Sequence, residues 1–186
     1  MTPLKDVIFG QFSLALGALF YTFWWLSAFK PGGNTGWTGG LSGILFLLLA
    51  VFGLGGVGLT MYGIHGLPLP QTWPGSGTMS LTAFLIYFIL LFITSKIFGR
   101  IPTTELLLIV CWALLETMAL GVLFEAESLS LFSFLLSALF ICGATLLAFG
   151  SYMIYYRIDE ETAWILGAIP LLADGAVSLF MAVSSV

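Results

Sequence analysis

Six stretches of this chain are long, apolar and almost free of charge, at roughly 7–29, 41–64, 79–98, 106–124, 129–156 and 163–184. About 20 such residues suffice to cross the hydrocarbon core of a bilayer as a helix. Lipid offers no hydrogen-bond partners, so each stretch must satisfy its own backbone, which a helix does and an open strand does not. The alternating ten-residue segments of a β-barrel are not seen. The sequence therefore predicts an all-α integral membrane protein with one domain over 1–186, a compact bundle of six transmembrane helices. Composition agrees, at 60% hydrophobic and 8% charged against roughly 25% charged in soluble domains. The first block is too long for a signal-peptide core and lacks a basic flank, so it is expected to stay as the first helix.

The breaks between blocks are chemically plain. KPGGNTGWTGG (30–40) is glycine-rich, and HGLPLPQTWPGSG (65–77) holds three prolines, so neither continues a helix. GRIPTTE (99–105) offers Thr103 or Thr104 as an N-cap for the fourth helix. EAES (125–128) and RIDEET (157–162) are short, which forces antiparallel neighbours. The acidic DEET run (159–162) suits the N-terminal end of the sixth helix. Lys30, Lys96, Arg100 and Arg157 fall on one side of such a bundle and only Lys5 on the other. The positive side is usually cytoplasmic, which places both termini on the non-cytoplasmic side. Trp37, Trp73, Tyr155 and Tyr156 near span ends read as interfacial anchors.

The two halves echo each other. LAVFGLGG (49–56) matches SALFICGA (137–144) at an offset of 88, which also pairs Trp24 with Trp112 and Leu26 with Leu114; TAFLI (82–86) matches TAWIL (162–166). An odd number of helices per half makes such repeats inverted, a common transporter architecture with the substrate path between the repeats.

Two carboxylates stand inside the apolar blocks. Asp174 lies mid-span in IPLLADGAVSLF (169–180), and Glu116 mid-span in CWALLETMALG (111–121). The two spans run in the same direction, so the acids sit at similar depth. Insertion of a central Asp costs roughly 2.5–3.5 kcal/mol, and such groups face the bundle interior or water. They serve either a proton-linked pathway or as hydrogen-bonding glue between helices. Pro170, four residues before Asp174, removes a backbone donor and is expected to loosen the helix there. Tyr21 and Trp24 in FYTFWWLSAF (20–29), with Trp112, are candidate lining residues; Gln11, Thr22 and Ser27 are the other polar groups of that first span. The glycines of the second span predict close helix packing.

Other chemistries lack their parts. One histidine, His65, supplies neither bis-His haem ligation nor a usual zinc site, so no metal or cofactor is expected. Cys111 and Cys142 lie in spans and read as small packing residues. No basic face for nucleic acid exists. No Ser–His or Cys–His set argues for an enzyme. The expected partners are the bilayer, a small solute or proton, and a second copy of the chain.

The leading functional expectation is a small channel or transporter, proton-linked through the mid-membrane carboxyls. A weak acid, a neutral amide-like molecule or a proton-coupled metabolite suits so uncharged a bundle better than a polyanion. The alternative is a non-catalytic accessory or scaffold subunit. In length, span number and outside termini the architecture is similar to that of the small six-helix bacterial urea and amide channels. The similarity is one of shape only; the short patterns LGALF (16–20) and GGLSGI (39–44) in the first two helices are not specific and identify no family.

Overall fold

The computed structural model describes residues 2–31, 40–67, 85–97, 99 and 104–186, and those residues are helical with no strand among them. The helices are α1 (Pro3–Ala28), α2 (Gly40–His65), α3 (Leu85–Lys96), α4 (Thr104–Glu125), α5 (Leu131–Ile154) and α6 (Glu160–Ser184). Five are long and apolar enough to cross a membrane, and α3 is a shorter apolar helix. Large hydrophobic side chains cover the outside, among them Leu54, Tyr62, Phe132, Leu139 and Leu146. That surface marks a multi-pass membrane protein, because water would not tolerate so much exposed apolar area.

Local signals explain the ends. Pro3 sits in the first turn of α1, where its missing N–H is not needed. The helix therefore begins ahead of the expected boundary and takes in Lys5 and Asp6. α4 stops where Glu127 adopts a positive φ of 54° and Ser128 N–H returns to Leu123 O at 3.0 Å, a Schellman-type end. Ser130 caps α5, its Oγ accepting from Ser133 N–H at 3.1 Å. Asp159 caps α6, Oδ1 accepting from Thr162 N–H at 2.9 Å, as the acidic run predicted. α5 ends at Ile154 and a 3-10 turn, Tyr155–Arg157, follows. Thr104 is the first residue of α4 rather than its cap. Thr103, Arg100, both long loops with Trp37 and Trp73, and positions 79–84 of the expected third span lie outside the described residues.

α1 is the hub, packed along α2 on one side and α6 on another. Lipid gives helices no hydrophobic reason to associate, so close fit must do the work. α1 and α2 run antiparallel, and their small residues meet in register. A Cβ placed on Gly56 would lie 2.7 Å from Leu14 N, on Gly17 2.9 Å from Gly53 Cα, and on Gly63 2.7 Å from Val7 N. Ser13 Oγ–H adds a hydrogen bond to Phe52 O at 2.8 Å. α1 also runs antiparallel to α6, with Gly175 against Ala18 and Gly167 against the Trp25 ring. α5 packs on α4 and α6, through Phe124–Phe134 and Phe140–Phe180. These directions make α2, α4 and α6 parallel, so the chain between α2 and α4 returns across the bundle, and α3 lies in that return. Tyr87 and Leu90 of α3 pack against the cluster of Leu106, Tyr152 and Met153.

One expectation needs correction. Cys111 and Cys142 are exposed on the outside of the bundle, so they fill no interior space; a thiol is apolar enough to face lipid. α6 is continuous through Pro170, as membrane helices tolerate.

The glycine seam yields a direct test. Gly56→Ala pushes a methyl into the α1 backbone and is expected to cost about 1–3 kcal/mol. Gly58→Ala, with open space around it, changes stability by at most about 1 kcal/mol. Unfolding by SDS in mixed micelles separates the two. The Asp159 cap gives a second expectation. Hydrogen bonds from Thr162 hold its carboxyl below the ordinary aspartate range, so its stabilisation is present above the unfolded-state pKa and lost as pH falls through the folded one. Amide exchange at Thr162 and Ala163 should rise relative to mid-α6 in acid, and Asp159→Asn should flatten that dependence.

Candidate functional site

A cavity of about 470 Å³ lies inside the bundle, walled by α1, α2, α4, α5 and α6. One end is at the level of Leu14 and Ser178, mid-helix; the other reaches Phe29 and Tyr155, where α1 and α5 finish. Its wall is mostly apolar and aromatic. Tyr21, Trp24 and Trp25 come from α1, Trp112 from α4, Tyr152 from α5, and Tyr155 from the turn after it. Pro170 and Asp174 line it from α6.

Glu116 stands just behind this wall with no exposed surface. Ser178 joins it to the cavity: Ser178 Oγ–H donates to Glu116 Oε1 at 2.7 Å. The same hydroxyl lies 3.3 Å from Asp174 O one turn back. A hydroxyl has one proton, so the shorter contact to an acceptor holds it. If Glu116 gains a proton, its own O–H can donate to Ser178 Oγ, whose hydrogen then turns to Asp174 O. The pair is satisfied in both protonation states.

Other polar atoms nearby lack partners. Glu116 Oε2 and Asp174 Oδ1 are buried without a hydrogen bond. Asp174 is within electrostatic reach of Glu116. Gln11, also fully buried, brings its amide close to the Glu116 carboxyl from α1, yet neither amide atom is aligned for a full hydrogen bond. An unpartnered buried polar atom costs about 1–3 kcal/mol, so this group asks for a water, a proton or a ligand. Among the described residues no three His, Cys, Asp or Glu side chains gather as a metal site.

Five residues singled out in the sequence, Asp174, Pro170, Tyr21, Trp24 and Trp112, line one cavity, and the sixth, Glu116, lies one hydrogen bond behind it. Thr22 turns back to Ala18 O at 2.9 Å and Ser27 to Trp24 O at 3.0 Å, so both satisfy their own helix. Tyr155, read as an interfacial anchor, also lines the cavity. Ser178 and Trp25 carry more than the sequence indicated. Trp25 Nε1–H bonds Trp164 O at 2.9 Å, fixing its ring between α1 and α6. Ser178 lies one turn after Asp174, and that spacing was the available sign.

No protein-family model, curated protein or solved structure matches this chain.

The Glu116–Ser178 bond makes a quantitative prediction. Ser178→Ala is expected to lose about 1–3 kcal/mol, because it leaves a second buried carboxyl oxygen unpartnered. In a Glu116→Leu background the same change should cost under about 0.5 kcal/mol. A double-mutant cycle from unfolding in mixed micelles measures the difference.

Proposed function

We propose that this protein is a small membrane transporter whose solute path is the aromatic cavity, linked to protons through Asp174 and Glu116. The observation that carries this reading is that the cavity ends on Asp174, with Glu116 held behind it by Ser178. Intramembrane acids facing a cavity are the usual parts of proton relays. A carboxyl that meets cavity water exchanges its proton with that water. A solute seated against it changes the proton's free energy, and the coupling is reciprocal.

The finer architecture belongs to the same proposal. The six spans form two inverted three-helix halves, with the path between them. Two observations favour it: α1 and α4, which open each half, run in opposite directions, and helices of both halves wall the cavity. Lys30, Lys96 and Arg157 lie at the helix ends where the cavity reaches Phe29 and Tyr155. By the positive-inside rule that end is cytoplasmic and both termini are outside.

The decisive measurement is flux. Purified protein in liposomes, given a panel of small solutes at several pH values, should move at least one in a way that an imposed proton gradient drives. Asp174→Asn and Glu116→Gln should each cut the driven component by about tenfold or more. If wild type moves nothing under any gradient while its helices remain intact, the transport reading falls and the accessory-subunit reading takes its place. If both variants match wild type, the acids serve as glue alone.

A further inference from the structure

The chemistry of the cavity wall discriminates among solutes. Of the described residues that line it, none is Lys, Arg or His, and the one charged type is the carboxyl of Asp174. An anion would find no compensating charge. A neutral solute can hydrogen-bond to the carboxyl but leaves its charge uncompensated. A cation at the wall compensates that charge, while Oδ1 itself lies buried and without a partner. The remaining wall is suited to the same guest: Tyr21, Trp24, Trp25, Trp112, Tyr152 and Tyr155 present indole and phenol rings around the space. Aromatic faces carry negative charge density and attract cations, Trp most strongly. Trp112 stands one helical turn before Glu116 and Pro170 one turn before Asp174, so an indole borders the space just outside the acids. The volume of about 470 Å³ lies within the range of sites for drug-sized organic molecules, roughly 300–1,000 Å³.

We infer that the cavity is a binding site for a monovalent, partly apolar organic cation, with Asp174 as counter-charge and the aromatic wall as its cage. This rests on the cavity's being the solute path proposed above, and it names the class of solute. A metal cation is disfavoured, because the wall is too apolar to replace a hydration shell. The guest is instead a quaternary ammonium, a phosphonium or a protonated amine. A protonated amine can also donate a hydrogen bond to the carboxylate of Asp174.

Cation and proton then compete for one carboxylate. The other titratable groups lining this space are Tyr21 from α1, Tyr152 from α5 and Tyr155 beyond it, and Glu116 of α4 lies behind the wall within electrostatic reach of Asp174; the described residues of α2 contribute none. Cation binding releases a proton wherever the acid pair holds one, and acid weakens binding. Exchange of an organic cation for protons follows from that linkage.

The test uses the full chain purified in detergent, with tetraphenylphosphonium as probe and tetraphenylborate as its shape-matched anion. Titration is followed by tryptophan fluorescence and by proton release into weak buffer. The expected result is saturable quenching by the cation alone, about tenfold weaker at pH 5 than at pH 8, with proton release. Asp174→Asn should weaken binding about tenfold or more and abolish the release, while Glu116→Gln reports how much of the pH dependence belongs to the deeper acid. Trp112→Phe should retain most affinity and Trp112→Leu should lose about fivefold. Equal saturable binding of tetraphenylborate overturns the inference. So does wild-type affinity and pH profile in a helical Asp174→Asn protein, and so does a flat wild-type pH profile, which needs no variant at all. The assay requires no flux. Vesicles that move nothing sink the transport reading and leave a measured cation site standing. Proton-driven flux of a neutral solute without cation binding does the reverse.

Discussion

The hydrogen bond between Glu116 and Ser178 constrains how α4 and α6 sit in this bundle. A carboxyl with no exposed surface must find a partner or pay several kcal/mol in a medium without water. Its partner sits 62 residues away, on a helix with which α4 makes few close backbone contacts. Side chains therefore bridge a gap that the backbones leave open. The cavity is the continuation of that gap toward the ends of α1 and α5. Rotate α4 or α6 by one residue and the bond is lost, along with the alignment of Trp112 and Asp174 on the same space.

α1 makes this arrangement possible by dividing its faces. Gly10, Ser13, Leu14 and Gly17 meet α2 at near-backbone contact. Further along, Tyr21, Trp24 and Trp25 widen the helix and hold its other neighbours away. A helix thin at one end and bulky at the other leaves a wedge, and the wedge is aromatic-walled. The rings also brace one another, Trp24 against Phe46 at 5.4 Å and Trp25 against Tyr155 at 5.9 Å. The wall is thus shaped by packing before any solute arrives, which lowers the entropy lost on binding.

Much of this was legible in the sequence because the relevant signals are local. Apolar blocks, Asp159 ahead of α6 and the glycines of α2 announce themselves within a few residues. Asp174 and Glu116 stood out because charge in lipid is expensive wherever it points. What stayed hidden depends on rotation and on partners. Ser178 looks like any helical serine until α4 is placed beside it. Tyr155 and Trp25 resemble belt residues because span ends and cavity mouths share the same sequence positions. Gly56 and Gly58 are indistinguishable by composition, yet one lies against Leu14 and the other faces open space. Cys111 and Cys142 read as packing residues because they fall within spans, and hydrophobicity cannot tell lipid from protein.

The depth of the acids bears on how a transport cycle would run. Beyond Glu116 the bundle is tightly packed: Leu115, Ala119, Leu120, Leu123, Val177 and Met181 form one buried cluster. A solute that reaches Asp174 from the end at Phe29 meets this cluster on its far side. On the transport reading the structure is one end of an alternating cycle, with the seal beyond Glu116 closed. α1 is held on both sides: its seam with α2 is backbone on backbone, and its contact with α6 seats the Trp25 ring on Gly167 and Ala18 on Gly175, with Trp25 hydrogen-bonded to Trp164 O. A proton on Glu116 turns the Ser178 hydroxyl without breaking the bridge, so the occupancy of the acids can change while α4 and α6 stay joined. That is the property a coupled carrier requires of its charge-bearing site.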